Sequence, residues 1–502
     1  MIKDMSREEL HRAIGMWGLA FCLLSSAAGW VFLRFGQAWS IADLPISDMV
    51  NYIVPAYAVT EVAMIPVGGK LIDKYGCRTI LAVAPFIFII ASMLCIVSVS
   101  VEMLVTMRVI QGIGAGLILA LAFTSVGKYY DSDKRGKCNE LMTGAFAIGS
   151  LFSSATGYFL TDLINWRFGF VFLSIIMLIG FLIAWRYLPK DKGTGGRTDL
   201  VGLILAAVAF AFVTFYAQMI DILFDLKSTT SLIMGIISVI LIAAVIIHAR
   251  HTNDPSIPVR FSGFEKMLFF LMFMFSICGL GLIQYFFKLY LTYYEFDIYK
   301  ATSMFIFMLL GGATTSMIGL RFVYKTGCRP WVVGGSVMVT FSLIFTHFFA
   351  GSGQMFLALS LFLFGLGLGS IVTEIICSMQ TVVKKEDLGV HTGGLMALRM
   401  VAILTGNVII GTYINEVIRE AMPPSVIDLT VTEDIVVAVG KYVKDTMHYL
   451  ANSMNDGFLT TALCLSVVTG VLTVVAIFIG RKDVIEMKRL KAEEEGTESE
   501  SR

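Results

Sequence analysis

Charge is scarce in this chain. Of its 502 residues 15% are Asp, Glu, Lys or Arg, against 57% hydrophobic, and the mean hydropathy is +0.80. Soluble domains carry about 25% charged residues, so a water-soluble globular fold is excluded. The apolar residues fall in continuous runs of about twenty instead of alternating, which excludes an outer-membrane barrel and indicates a polytopic helical membrane protein.

Other absences narrow the class further. No Gly-x-x-x-x-Gly-Lys-Ser/Thr loop occurs, which argues against ATP as the energy source. The six histidines show no metal-ligand spacing, and no nucleophile motif has a base near it, so neither a metal centre nor an enzyme is expected. The eight cysteines form no disulfide framework and no zinc site; they read as free thiols, with Cys77, Cys138 and Cys328 facing the cytoplasm and the others within spans. Lys and Arg sit in loops between apolar runs, which gives no support to nucleic-acid binding.

What is present reads as about fourteen spans, at 13–34, 49–68, 79–99, 103–126, 141–161, 169–188, 200–221, 229–249, 266–288, 300–320, 331–350, 355–377, 389–412 and 457–480. Lys3, Arg7 and Arg12 precede the first run, which is too long for a signal sequence and is read as a retained span. Lys/Arg-rich segments, including Lys70/Lys74/Arg78, Lys128/Lys134/Arg135/Lys137, Arg321/Lys325/Arg329 and Lys384/Lys385, all fall on one side with both termini. The positive-inside rule makes that side cytoplasmic. The expected protein is thus a multi-pass monomer of the cytoplasmic (inner or plasma) membrane. A loop over 414–456 lies on the other side and reads as a solvated cap or a lid, and the tail over 481–502 reads as disordered.

The chain is also a duplication. Gly76-Cys77-Arg78 recurs as Gly327-Cys328-Arg329, an offset of 251 residues (78 to 329), and Gly112, Gly114 and Gly116 recur as Gly365, Gly367 and Gly369, an offset of 253 (112 to 365). Glycines at this density let helices approach closely and slide. The domains follow: a six-helix bundle over 1–190, two linking helices over 191–260, and a second six-helix bundle over 261–480.

The basic loop Gly69-Lys70-Leu71-Ile72-Asp73-Lys74-Tyr75-Gly76-Cys77-Arg78 resembles the signature loop of the major facilitator superfamily. That resemblance implies a latch between two bundles built from Gly69, Asp73, Lys74, Gly76 and Arg78. Arg108-Val109-Ile110-Gln111-Gly112-Ile113-Gly114-Ala115-Gly116 is similar to the family's fourth-helix motif. Trp166-Arg167-Phe168, Leu289-Tyr290-Leu291, and Arg399 before Gly406 sit where the 14-helix drug:proton antiporter branch has similar residues. The resemblance implies an all-α major facilitator fold, two pseudo-symmetric six-helix bundles plus two extra linking helices, and transport by alternating access. Two departures weaken the antiport inference: Gly36 stands where the branch's first-helix acid would fall, and Phe152-Ser153 with Thr156-Gly157 replace its fifth-helix Gly-Pro pattern.

Ionisable residues at membrane depth cost about 2.5–3.5 kcal/mol each, so each needs a partner or a task. They are Arg34, Glu61, Arg108, Lys288, Glu374 and Arg399, with Gln284 one turn before Lys288. Glu61, flanked by Ala58, Val59, Val62 and Ala63, suits a proton carrier; Glu374 is a second candidate, or a partner for Arg399. Arg108, by resemblance, belongs to the proton path, or else pairs with Glu61 or the backbone. Arg34 and Lys288, offset by 254 residues (34 to 288), occupy pseudo-symmetric places and read as a clamp for an organic anion or as interfacial cations. Tyr285, Gln284 and Arg399 complete the expected solute site.

The expected function is secondary active transport of a small amphipathic organic solute, an organic anion by the basic residues, driven by a proton gradient with no bound cofactor. The alternatives are multidrug efflux of lipophilic cations, uncoupled anion exchange, and a non-transporting receptor of the same fold.

Overall fold

The computed structural model describes residues 6–45, 47–163, 165–195, 199–220, 223, 228–252, 254–259, 261–280, 286, 304–315, 318, 326–349, 353–421 and 462–478, with side chains omitted at 31, 34–43, 132–133, 151–163, 407 and 411–421. Among these residues the regular structure is helical throughout. The first eight helices are α1 (Arg7–Asp43), α2 (Ile53–Tyr75), α3 (Cys77–Ile96), α4 (Val101–Tyr129), α5 (Ser132–Leu163), α6 (Arg167–Tyr187), α7 (Leu200–Met219) and α8 (Thr229–His251). Six more follow: α9 (Gly263–Phe275), α10 (Met304–Thr315), α11 (Arg329–Phe349), α12 (Gln354–Val382), α13 (Leu388–Ala421) and α14 (Ala462–Ile477). Ten helices among the described residues are long and apolar enough to cross a membrane. In hydrocarbon every backbone N–H and C=O must be satisfied internally, which is why apolar runs of this length become helices.

Polar residues, not hydropathy, set the helix ends. Ser6 and Glu9 form a capping box that starts α1 well before residue 13, and Ser262 with Glu265 does the same for α9. At the other end α1 runs on to Asp43, past the expected stop at 34. Residues 414–421, expected to open the long loop, instead continue α13; 422–461 lie outside the described residues. Cys77 and Cys328, expected in cytoplasmic loops, are 1% and 0% exposed, because each begins a helix that packs into the protein.

The duplication is geometric as well as sequential. Gly76 and Gly327 both take positive φ, +86° and +75°, and so turn the chain where a side chain would be strained. The repeated glycines pack alike. A Cβ on Gly112 or Gly116 would meet the backbone oxygen of Tyr57 or Glu61 on α2, at 2.4 and 2.2 Å; one on Gly365 would fall 2.0 Å from the Met308 oxygen of α10. Between them, Gly114 faces α3 and Gly367 faces α11.

Helices α1–α6 form one bundle; α9 onward form the second. They meet along a seam where α2 and α4 pack on α13, and α5 packs on α12. Helix α7 packs on α2 and α13, while α8 packs on α7 and turns Leu232, Ile233, Val239 and Ile240 outward, as a lipid-facing helix does. The end of the molecule carrying Lys70, Lys74, Lys128 and Arg135 is called the basic end below.

Candidate functional site

A buried polar network crosses the first bundle. Arg108 of α4 is fully buried. Its Nη1 donates to Gln111 Oε1 at 2.8 Å, its Nε reaches the Ile53 carbonyl at 3.4 Å, and its guanidinium lies 4.3 Å from the centre of the Tyr57 ring. Gln111 Nε2 in turn donates to Ser92 Oγ at 2.7 Å, and the Tyr57 hydroxyl donates to the Ser26 carbonyl at 2.7 Å. Helices α1 to α4 are therefore joined through one arginine. A cation stacked on an aromatic face and forked to two acceptors is well matched to guanidinium and poorly to ammonium.

Glu61 stands one turn after Tyr57 on α2 and is 0% exposed. Both its oxygens are buried; among the described residues neither completes a hydrogen bond and no cation comes within 4.0 Å, with Arg108 and Ser26 its polar neighbours. A carboxyl in that position is chemically able to take up and release a proton, or to pair with Arg108 after a small movement. Of the alternatives for Arg108, a backbone partner is present at Ile53 and a direct Glu61 pair is not; the Gln111 bond was not among them.

The seam holds a second buried charge. Arg399 of α13 is 6% exposed, and its guanidinium lies 5.9 Å from the centre of the Phe146 ring on α5, across the bundle boundary. Among the described residues its Nε has no partner and no acid stands within 4.0 Å. The expected pairing with Glu374 is not formed, though Glu374 is buried nearby in the chain on α12.

At the basic end Asp73 bridges the seam. Asp73 Oδ1 and Oδ2 accept the N–H groups of Gly389 and Val390, at 2.9 and 2.8 Å, and Lys128 Nζ pairs with Oδ1 at 3.1 Å. Those two N–H groups open α13 and have no intrahelical acceptor, so the carboxylate caps the helix across the seam. Gly69 allows this approach, since a Cβ there would fall 2.2 Å from the Gly389 carbonyl oxygen. Lys74 and Arg78 stay on their own side. Lys74 lies over the Tyr75 ring; Arg78 donates to the Leu188 carbonyl at 3.1 Å and lies over Trp185.

The linking segments bind the same loop. Asp191 accepts from the N–H groups of Cys77 and Arg78 and from the Tyr129 hydroxyl, at 2.7, 3.1 and 2.9 Å. Thr194 and Gly195 donate their N–H groups to the carbonyls of Asp73 and Lys74. Buried Lys70 pairs with Asp254, beyond α8.

Residues 19–407 match the family described as Major Facilitator Superfamily. The chain belongs to the Major Facilitator Superfamily. Among its superfamily relatives, the multidrug transporter protein MdtP of Bacillus subtilis is 23% identical over 82% of this chain and 77% of that protein. Multidrug resistance protein 3 of the same organism is 26% identical over 70% of each. The human organic anion transporter MFSD10 (TETRAN) superposes with a TM-score of 0.62 over 94% of this chain and all of that one, at 14% identity. The proton:xylose symporter XylE gives 0.56 over 95% and 98%, also at 14% identity. At that identity both show the shared major facilitator fold alone.

Of the expected solute site, Arg34 belongs to α1 with its side chain undescribed, and Gln284, Tyr285 and Lys288 lie outside the described residues. Sequence reasoning passed over Tyr57, Ser92, Gln111 and Asp191. Gln111 carried a signal, since it follows Arg108 by three residues and so shares its helix face; Asp191, in a loop, carried none.

Proposed function

We propose that this major facilitator transporter exports an amphipathic organic anion from the cytoplasm, coupled to proton entry through Glu61. It is a carrier and not an enzyme, it works as a monomer in the cytoplasmic membrane, and its basic end and both termini face the cytoplasm. The observation that carries the substrate class is Arg399. A buried guanidinium at the seam without an acid is costly, and an anionic solute supplies the missing charge, with Phe146 beside it for an apolar body. Efflux as the direction is supported by the drug resistance in the name of one relative, multidrug resistance protein 3. Arg34, Gln284, Tyr285 and Lys288 complete the proposed solute site, and Arg108 and Glu374 the proposed proton path.

A second reading has its own support. Buried Glu61, in a chain with relatives named multidrug transporters, suits a lipophilic cation in exchange for a proton.

The deciding experiment is solute-induced proton movement in proteoliposomes carrying a pH dye, screened with organic anions and with lipophilic cations. A signal with anions is expected. A signal with cations alone overturns the anion reading, and tracer flux without proton movement identifies an uncoupled carrier. Ligand binding without flux identifies a receptor.

A further inference from the structure

Asp73 accounts for one end of a helix pair. Helices α12 and α13 are consecutive, joined at the basic end by residues 383–387. The end of α12 leaves carbonyl groups without intrahelical donors, as the start of α13 leaves N–H groups without acceptors. One of these carbonyls, that of Gln380, accepts Nη1 of buried Arg135 at 2.5 Å. Arg135 belongs to α5 of the first bundle and is itself fixed by the carbonyls of Tyr130 and Gly127, at 2.9 and 3.1 Å. A cation at a helix C-terminus and an anion at a helix N-terminus both stabilise the helix dipole.

The Gln380 side chain adds a second tie across the seam. Its Oε1 accepts from Asn139 Nδ2 at 2.8 Å, and its Nε2 donates to the Phe123 carbonyl at 2.9 Å and, at 3.4 Å, back to Asn139 Oδ1. Asn139 and Gln380 are 0% and 1% exposed, so neither exchanges these bonds for water while the seam is closed.

We propose that Arg135, Asn139 and Gln380 form a second lock at the basic end. It holds the negative pole of α12 as Asp73 holds the positive pole of α13. The two locks hang from different helices of the first bundle, α5 and α2, and grip one hairpin of the second. The basic end opens only when both poles are released together. The amide pair contains no ionised acid, so it persists when the Asp73 carboxylate is lost. The inference rests on the alternating-access reading, and its test reads access to the seam, not solute movement, so the two fail independently.

Cys377 supplies the probe. It lies one turn before Gln380 on α12, is buried, and is an electrostatic neighbour of Arg135. The full chain in lipid nanodiscs is treated with a hydrophilic maleimide, and alkylation of Cys377 is followed by peptide mass spectrometry. Asn139→Ala, which removes both amide bonds to Gln380, is expected to raise the rate about fivefold, and Gln380→Ala, which removes the Phe123 bond as well, to raise it at least as much. The double variant is expected to match Gln380→Ala, and to exceed Asn139→Ala by no more than the loss of the Phe123 bond. If Gln380→Ala does not fold, Asn139→Ser, which removes the amide donor to Gln380 Oε1, is read in its place. Cys377 rates that match wild type in folded Asn139 variants, while Asp73→Asn raises them, overturn the second lock; independent, fully additive effects of Asn139→Ala and Gln380→Ala overturn the amide pair.

Discussion

Gly69 and Gly389 meet backbone to backbone across the seam. A Cβ on either would fall 2.2 Å from the carbonyl oxygen of the other. Neither atom belongs to a flexible side chain, so nothing at this contact can rotate away. Gly69→Ala is expected to force the basic end apart at a cost of about 1–3 kcal/mol, the range for overpacking a tight contact. Spin labels placed at Tyr75 and Lys385, both exposed, read the change as a longer and broader separation. An unaltered distance distribution counts against the contact as the point of closure.

Asp73→Asn keeps the shape of the latch and removes its charge. The amide loses the Lys128 ion pair and turns one polar edge toward N–H groups it cannot accept. Hydrogen bonds to charged groups contribute about 1.5–3 kcal/mol, so the closed state loses roughly that much. Transport is expected to slow while solute binding, measured by calorimetry, persists. Wild-type flux in this variant removes the latch from the cycle.

Glu61→Gln preserves volume and abolishes proton exchange at that position. The pH-driven component of flux is expected to vanish, with counterflow exchange at equal pH retained. Dye-reported proton movement that continues in Glu61→Gln clears the residue of any coupling role.

Arg399→Met tests a buried charge that no acid among the described residues faces. Replacing a buried unpaired ion by an apolar side chain of similar volume is expected to leave the ligand-free protein as stable or raise its melting temperature. The same change is expected to weaken binding of organic anions about tenfold or more, and of neutral analogues far less. Equal losses for both ligand types defeat the anion assignment; a large fall in melting temperature would instead make Arg399 a structural residue.

The helices were legible because apolar runs have one solution in hydrocarbon. The duplicated Gly-Cys-Arg hinge was legible because a tight positive-φ turn needs glycine, and the structure places both copies there. Helix ends were less legible: hydropathy marks where a span meets the interface, while Ser6, Glu9 and the continuation of α13 to Ala421 are set by hydrogen bonds. Glu61 and Arg399 stood out as ions in apolar surroundings. Their neighbours did not, since Tyr57 and Phe146 are ordinary aromatic filler until a guanidinium is found beside them. Asp73 was readable from its motif, but its acceptors are backbone N–H groups, which carry no residue type. Asn139 and Gln380 were passed over for a related reason: polar residues near a basic loop read as interfacial, and burial by another bundle has no local signature.

The hydrogen bonds from residues 194 and 195 to the end of α2 have a mechanical consequence. They splice the approach to the accessory pair onto the first bundle, whereas among the described residues α7 meets α13 through packing alone. The accessory helices are therefore expected to travel with the first bundle while the second bundle moves past them. A fluorophore pair on α3 and α8 should keep a constant energy-transfer efficiency through turnover, while a pair on α8 and α11 should flicker between two values.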